Sequence, residues 1–539
     1  MKKVIFAATG IAAFASAGIF LQRYLERRRD ELQDDNASFD VTEFDKKITM
    51  LSKKYEADAI KMLIELISIP EEGTNDDPLC GSSGHEGLRL AYLKNKIIEI
   101  GAVLNPNDVY FDEYGNLVWT INDPEDDIPL SQRKTIYLDG HIDTYEVNRS
   151  DWKKVGNGID CFKGLINADD VDYEKLKNEL FFLPEKEKWN DLVFGCGAAH
   201  QLQGIVSQVY ASKILLETCE YGSLRGANVI SIATISSEVN DGGSIMYLMK
   251  QDLQRHQIPD CVILTETSGD LSLGPCCINI GQKGKCKIKI QITKNDDDNN
   301  NNINVLEYGS AIILEAKIKA DKSLKNKKFL GKGTRTVNNC KLEINKNTNI
   351  PTKYMFEFER RYVEGEDLNL AIDEIKSLDS FKKAINDGCK IDISVPQYTE
   401  KSYKGASADN PQNYMYWITN PNNLVVKSAL ESYKRCVSPE INIDDKKTPD
   451  NLRKCPTINK WNFSTDGVGY LIKNDELMFS VEGKNWIQNK NFLHPPMFGI
   501  GSGFQQHIHK IGEYVHKHHM WCPIAVISRF PSLFVANSQ

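Results

Sequence analysis

Three apolar runs in this chain each end in histidine or acidic residues, and that repetition constrains the fold more than any other feature. KTIYLDGHIDT (134–144), ANVISIATISSEVNDGG (227–243) and PDCVILTETSGD (259–270) each read as a strand running into a polar loop. Runs with helical spacing alternate with them, over 47–69 and 205–216 among others. This alternation predicts an open α/β sheet, and such sheets carry their sites at the carboxyl ends of the strands.

A second pattern interrupts the first. KGKCKIKIQITKN (283–295) and KYMFEFERRYV (353–363) alternate with period two, as half-exposed strands do, and a helix is predicted over 368–378. We therefore expect a small α+β domain at 285–395, inserted between two parts of one α/β domain at 47–284 and 396–539. The low-complexity stretch NDDDNNNNINV reads as a mobile hairpin tip. With 539 residues the chain has length enough for both domains.

The net charge of −8 and the lack of a basic stripe argue against general nucleic-acid binding. The 13 cysteines are odd in number and form no CxxC pair, which points to reduced thiols in cytosol or mitochondrial matrix. The N-terminus is of a different character. Residues 4–21 are apolar between basic flanks, just long enough to span a bilayer as a helix. Three readings stand. Ala15-Ser16-Ala17 fits a signal cleavage site, the lack of acids before Glu26 fits a mitochondrial presequence, and the segment also fits a retained anchor (residues 1–30, followed by an acidic linker at 31–46). The anchor is the reading carried forward. Arg23, Arg27, Arg28 and Arg29 outweigh Lys2 and Lys3, which puts the body on the cytoplasmic or matrix side.

The chemistry concentrates in a series of short motifs. GHIDT sets His141 and Asp143 two apart after a strand, and a metal-ligating His commonly needs such a carboxylate on its other ring nitrogen. GCGAAH, SSEVNDGG, LTETSGD, GQKGK and HIHKIGE follow in order. Together these segments resemble the zinc-dependent aminoacylase, carboxypeptidase and dipeptidase family, which includes acetylornithine deacetylase and succinyl-diaminopimelate desuccinylase. The resemblance spans about residues 50–530, and FLGKGTRTV, FERRYVEGED and KWNFSTDGVG carry it further. It implies a phosphorylase/hydrolase-like α/β catalytic domain with an inserted α+β lid that often mediates dimerisation. It also implies two zinc ions bridged by a carboxylate, a Glu as general base, and a lid His steadying the oxyanion. Two-metal sites of this kind hold their ions about 3.5–4 Å apart. The reaction implied is hydrolysis of an amide next to a carboxylate.

Carried onto this chain, the resemblance places His141 and Glu266 as ligands of one metal, with Asp143 orienting His141. It places Glu238 and His509 as ligands of the other, with Glu513 four residues beyond His509. The bridging Asp falls on His200, the general base falls on Ser237, and no His occurs between His256 and His494 to serve from the lid. An imidazole's nitrogens point apart, so His200 does not reproduce a carboxylate bridge. A single zinc on His200 with His509 and Glu238, or with His141 and Glu266, remains open, as does no metal at all. Ser237 is a poor base, because a hydroxyl does not ionise near neutral pH unaided. Arg360 and Arg361 match lid arginines that can grip a substrate carboxylate, although ERRY on a strand also suits an ordinary ion pair. His516, His518 and His519 read as an exposed basic helix face.

These substitutions point to a pseudohydrolase kept as a folded module. Together with the anchor they suggest a structural or accessory subunit of a mitochondrial inner-membrane complex, its body facing the matrix. Another membrane with a cytosolic body is the alternative location. The opposing functional reading is an active mono-zinc amidohydrolase or dipeptidase. Homodimerisation through the lid is a further expectation.

Overall fold

The computed structural model describes residues 40–69, 79–255, 258–294, 303–346, 348–442, 448–473, 481, 484–489 and 492–538. The apolar segment at 4–21 lies outside them. Two helices open the described chain, α1 (Glu43–Lys54) and α2 (Glu56–Ser68), where periodicity predicted one stretch from 47. α1 starts earlier because Thr42 and Asp45 cap it reciprocally, each side chain taking a backbone N–H of the other. Then follow α3 (Gly87–Glu99), β1 (Val109–Phe111), β2 (Leu117–Asn122), β3 (Lys134–His141), α4 (Gln203–Glu217), β4 (Ala227–Thr234), α5 (Gly243–Arg255), β5 (Cys261–Leu264) and β6 (Ile278–Gln282).

The inserted unit comprises β7 (Gly284–Lys294), α6 (Val305–Ser323), β8 (Thr334–Ile344), β9 (Pro351–Tyr362), α7 (Leu368–Lys376), α8 (Asp379–Asn386), β10 (Cys389–Ser394) and β11 (Asn413–Tyr414). The body resumes with β12 (Trp417–Ile418), α9 (Leu424–Cys436), β13 (Ile458–Trp461), β14 (Met497–Gly499) and α10 (Trp521–Ser538).

The body sheet runs β1-β2-β4-β3-β5-β14-β6-β12, with β13 also on β6. The three runs singled out in the sequence are its centre: β4, β3 and β5 lie side by side and parallel. Their carboxyl ends therefore open on one edge. Every residue of β4 is buried. Ile136 and Leu138 of β3 pack into a core shared with α1, α2, α4 and α10, while Tyr137 faces a second core shared with the lid. Covering both faces is what makes such strands read as unbroken apolar runs.

The lid sheet is antiparallel, in order β8-β9-β7-β10, with β11 on β7. Along β7, Cys286, Ile288, Ile290 and Ile292 point into the core against α6 while the alternate lysines do not. β8 pairs on one side only among the described residues.

Several expectations need correction. The Asn-rich stretch expected as a hairpin tip lies, at 295–302, outside the described residues, between β7 and α6. His516, His518 and His519 do not form a helix face. His516 ends a short strand (Tyr514–His516), His518 and His519 lie on a single 3-10 turn (Lys517–His519) ahead of the helix at Trp521, and His519 is buried with its Nε2 at 2.5 Å from the Asp450 carbonyl, which leaves His518 as the exposed one. Among the described residues no helix is long and apolar enough to cross a membrane.

The stretch between Asp143 and His200 builds a small core of its own from Trp152, Phe162, Leu176, Trp189, Phe194 and Tyr514. Its last strand, Leu192–Phe194, pairs with Tyr514–His516 and delivers the chain to the glycine turn before His200.

Candidate metal centre

At the carboxyl edge of β3, β4 and β5 the structure brings together His141, His200, Glu238, Glu266 and His509. His141 ends β3. Its Nδ1 lies 2.8 Å from the Asp143 main-chain oxygen and 3.3 Å from Asp143 Oδ1. Nδ1 therefore carries the proton, and Nε2 faces Glu266 Oε2 at 3.7 Å. Asp143 orients more than His141. Its carboxylate accepts the backbone N–H of Ser237 at 3.2 Å and of Glu238 at 3.0 Å, and the Ser83 hydroxyl at 2.5 Å. One buried carboxylate thus sets the turn that presents Glu238.

His200 enters from the opposite side. Gly197 (φ +83°) turns the chain, and α4 then runs back beneath the site. Gly204 at the start of α4 has no room for a side chain, since a Cβ would lie 1.6 Å from the Thr265 carbonyl. That close approach sets α4 against the loop bearing Glu266. Glu266 is held by Thr267 N–H at 2.7 Å and Gln201 Nε2 at 3.1 Å.

The His200 ring stands between the two carboxylates. Nδ1 is 3.0 Å from Glu238 Oε1 and 3.2 Å from His509 Nε2. Nε2 is 3.3 Å from Glu266 Oε1 yet makes no hydrogen bond, although it is buried. Phe463 closes one side of the ring, edge-on with centroids 5.4 Å apart. Burial alone would lower the His200 pKa, but Glu266 and Glu238 carry it well above the usual histidine range. Burial raises Glu238, yet His200 and His509 hold it well below the usual carboxylate range. In the absence of a cation the imidazolium of His200 supplies the positive charge between the two acids. For His141, burial is likewise outweighed by Asp143, and the pKa is about 9.

His509 completes the cluster in a left-handed conformation (φ +59°), with its side chain 41% exposed. Its Nε2 is 2.9 Å from Glu238 Oε1 and Tyr145 packs against its ring. Glu513 braces this loop, accepting the backbone N–H groups of His509 and Gly197. Burial pushes Glu513 up to about 8.

Two ligand sets result, His141–His200–Glu266 and His200–Glu238–His509, each with donor atoms within 4.8 Å of one another. The donors suit a divalent transition metal, and the unpartnered buried Nε2 of His200 suits a ligand role. Both sets need His200. A neutral imidazole has one lone-pair nitrogen, so it serves one set at a time.

Ser237 stands where a base would be needed. Its hydroxyl donates to the Asp466 carboxylate, which also accepts the Thr234 hydroxyl at 2.6 Å. Burial raises Asp466 to about 6. In the sequence KWNFSTDGVG serves only the family resemblance, which assigns no role to Asp466. Asp466 is the one acid of that motif, placed directly before Gly467-Val468-Gly469.

Arg360 is not free to grip a carboxylate. Arg360 is 1% exposed; Nη2 is 2.7 Å from Glu366 and Nη1 donates to the Arg361 carbonyl. This replaces the substrate-binding expectation for Arg360 with a buried ion pair inside the lid. Arg361 pairs through Nε and Nη2 with Glu359 at 3.0 and 2.9 Å.

No protein-family model matches the chain. The uncharacterized Escherichia coli protein YgeY is 23% identical over 489 residues, which is 90% of this chain and 96% of YgeY. Among solved structures, an M20 family metallo-carboxypeptidase from Sulfolobus solfataricus, Sso-CP2, superposes with a TM-score of 0.54 at 14% identity. That match covers 88% of this chain and 99% of the other. The Saccharomyces cerevisiae di-peptidase Dug1p gives a TM-score of 0.56 at 11% identity, over 91% of this chain and 98% of its own. The fold is that of the M20 metallopeptidases, as the sequence motifs implied.

Proposed function

We propose that this chain is a pseudohydrolase, a metallopeptidase fold whose inherited amide hydrolysis has decayed and whose site takes at most one divalent cation. The observation that carries this reading is the position of His200, a single ring shared between two otherwise complete ligand sets. Ser237 supports it, because its hydroxyl is engaged as a donor to Asp466 and offers no carboxylate toward the cleft. The sequence supports it too, since the lid contains no histidine.

Where a cation is held, His141, His200 and Glu266 are the better set, being buried and braced by Asp143. A divalent cation supplies Lewis-acid chemistry there. The second reading, a mono-zinc amidohydrolase or dipeptidase cleaving an amide next to a carboxylate, is favoured by one observation. With that inner set engaged, Glu238 and His509 are left as a hydrogen-bonded pair at 2.9 Å, chemically able to take up and return a proton.

Metal analysis with a hydrolysis screen separates the two. The pseudohydrolase reading expects no turnover of N-acyl amino acids or dipeptides at any zinc concentration. Zinc-dependent hydrolysis that is lost in Glu266→Gln together with the metal, and lost in His509→Ala with the metal retained, would refute it.

For its cellular role, we place the protein as an anchored structural or accessory subunit of a mitochondrial inner-membrane complex, body toward the matrix. The apolar segment 4–21 with its basic flanks supports the anchor, and thirteen cysteines without a disulfide suit a reducing compartment. The one-sided pairing of β8 leaves an edge on which two lids can meet. Sedimentation of detergent-solubilised membranes tests the subunit role, which fails if the protein runs only as a free monomer or dimer.

A further inference from the structure

The insertion between Asp143 and His200 holds a cavity of its own. Over 156–171 the chain folds back on itself, with antiparallel bridges between Gly156 and Val171 and between Ile159 and Ile166. Gly158 allows this approach, since a Cβ there would lie 2.0 Å from the Asn167 carbonyl. A four-residue helix (Arg149–Trp152) stands beside the two arms, and together they enclose a space of about 380 Å³. Trp152, Ile159 and Cys161 line it and are buried, while Leu165 stands at its rim, 56% exposed. None of these residues belongs to either ligand set. The Cys161 carbonyl accepts the Cys196 N–H at 2.7 Å, so the cavity is separate from the metal centre yet joined to the glycine turn before His200.

The charge around this cavity is positive, in a chain whose net charge is −8. Arg149, Lys153 and Lys163 line it against one acid, Asp160, whose Oδ1 already accepts the Phe162 N–H at 2.9 Å. Neighbouring lysines of the insertion find acids. Lys154 pairs with Asp151 at 2.6 Å, Lys175 with Asp172 at 3.0 Å and Lys186 with Asp169 at 3.1 Å. Arg149 and Lys153 have no carboxylate within 4.0 Å among the described residues. The Arg149 guanidinium instead lies over the Phe162 ring, 4.9 Å from its centre. Stacking of this kind fixes the guanidinium plane and leaves its N–H edge for an acceptor from outside.

We propose that this cavity binds a small organic carboxylate with an aromatic or branched apolar body. Trp152, Ile159 and Leu165 receive the body. Arg149 and Lys153 receive the carboxylate, the guanidinium through paired N–H donors and the ammonium as a point charge. Ligand pockets run from about 300 to 1,000 Å³, and this one lies near the small end. That size suits a single-ring acid better than a nucleotide or a peptide, and the apolar floor suits it better than inorganic phosphate.

The test is a ligand-detected NMR titration of the full-length protein in a neutral detergent, with 3-phenylpropionate as the probe. We expect saturable binding. Arg149→Gln should weaken it about 10-fold, as loss of one hydrogen bond to a charged group does. Leu165→Glu, at an exposed position where a polar side chain leaves the fold intact, should abolish it by setting a carboxylate on the rim. Lys317→Gln, on the lid helix α6, should leave it unchanged. Circular dichroism identifies any variant that has merely misfolded, and Arg149→Gln, at an exposed side chain, keeps the test usable in that event. Two further probes separate body from charge. 3-Phenylpropionamide, which has the ring without the charge, should bind about 10-fold more weakly. Inorganic phosphate, which has the charge without the ring, should not displace the acid at equal concentration. Absence of saturable binding overturns the proposal, as does binding that survives both Arg149→Gln and Leu165→Glu. Amide binding as tight as that of the acid, or displacement by equimolar phosphate, overturns it equally.

Discussion

The inner and outer halves of the metal centre have similar ligands but different construction. The inner half, His141 and Glu266, lies at the ends of adjacent parallel strands, and Asp143, Thr267 and Gln201 fix both side chains. The outer half pairs Glu238, on a single helical turn (Ser237–Asn240), with His509, on a loop in a left-handed conformation with much of its ring in solvent. Sheet ends give a preorganised donor pair, and loops give one that must be ordered on binding. The shared His200 makes the two halves compete, and construction decides the outcome.

The largest expected effect comes from changing the shared residue. His200→Asp replaces the ring by a carboxylate able to bridge, and should raise bound zinc from about one to about two per chain. His200→Ala should abolish tight binding at both halves. Elemental analysis after dialysis reads both, and unchanged stoichiometry in His200→Asp would break the comparison. Next, the halves should differ in sensitivity. Glu266→Gln should weaken zinc more than ~100-fold and Glu238→Gln only about 10-fold, bracketing the range typical of groups that merely orient a ligand. Competition with a chelating indicator measures this, and the reverse order would show that the outer half holds the cation. Asp143→Asn should fall within that range, about 10–100-fold, because it orients His141 without binding the metal.

The smallest effect is on pH dependence. His141 is raised from 6.5 to about 9, so its stabilising contribution is complete below pH 6.5 and lost as pH rises through 9. Glu513 is raised from 4.5 to about 8, so its contribution too is lost as pH climbs from 4.5 through 8. Both act in the same direction. The melting temperature of metal-free protein should fall by several degrees between pH 6 and 9. Saturating zinc should flatten that slope, since a cation replaces protons among the histidines. A melting temperature that rises over this interval would contradict the assignment.

Much of this was legible because local pattern and tertiary role coincide. The central strands are buried on both faces, so their apolar runs were unambiguous, and their polar ends could only be loops at one sheet edge. Arg360 was legible in principle. It shares the inward register of Tyr354, Phe356 and Phe358 along β9, so the alternation that identified the strand also turned Arg360 into the core. What hid its role was Glu366, a partner beyond the strand. The engagement of Ser237 was not legible, because Asp466 lies 229 residues away and only the packing joins them.

The free edge of β8 bears on how this protein behaves in concentrated solution. Eleven residues of largely exposed strand form an aggregation template if they stay straight. The register breaks between Val337 and Asn339, leaving Asn338 unpaired while its side chain donates to Glu359 at 3.0 Å. The edge is thereby divided into two short pieces, the second of which carries the charged and exposed Lys341. Removing Asn338 would straighten the strand, and the cost would be paid in solubility before it appeared in any assay of the cleft.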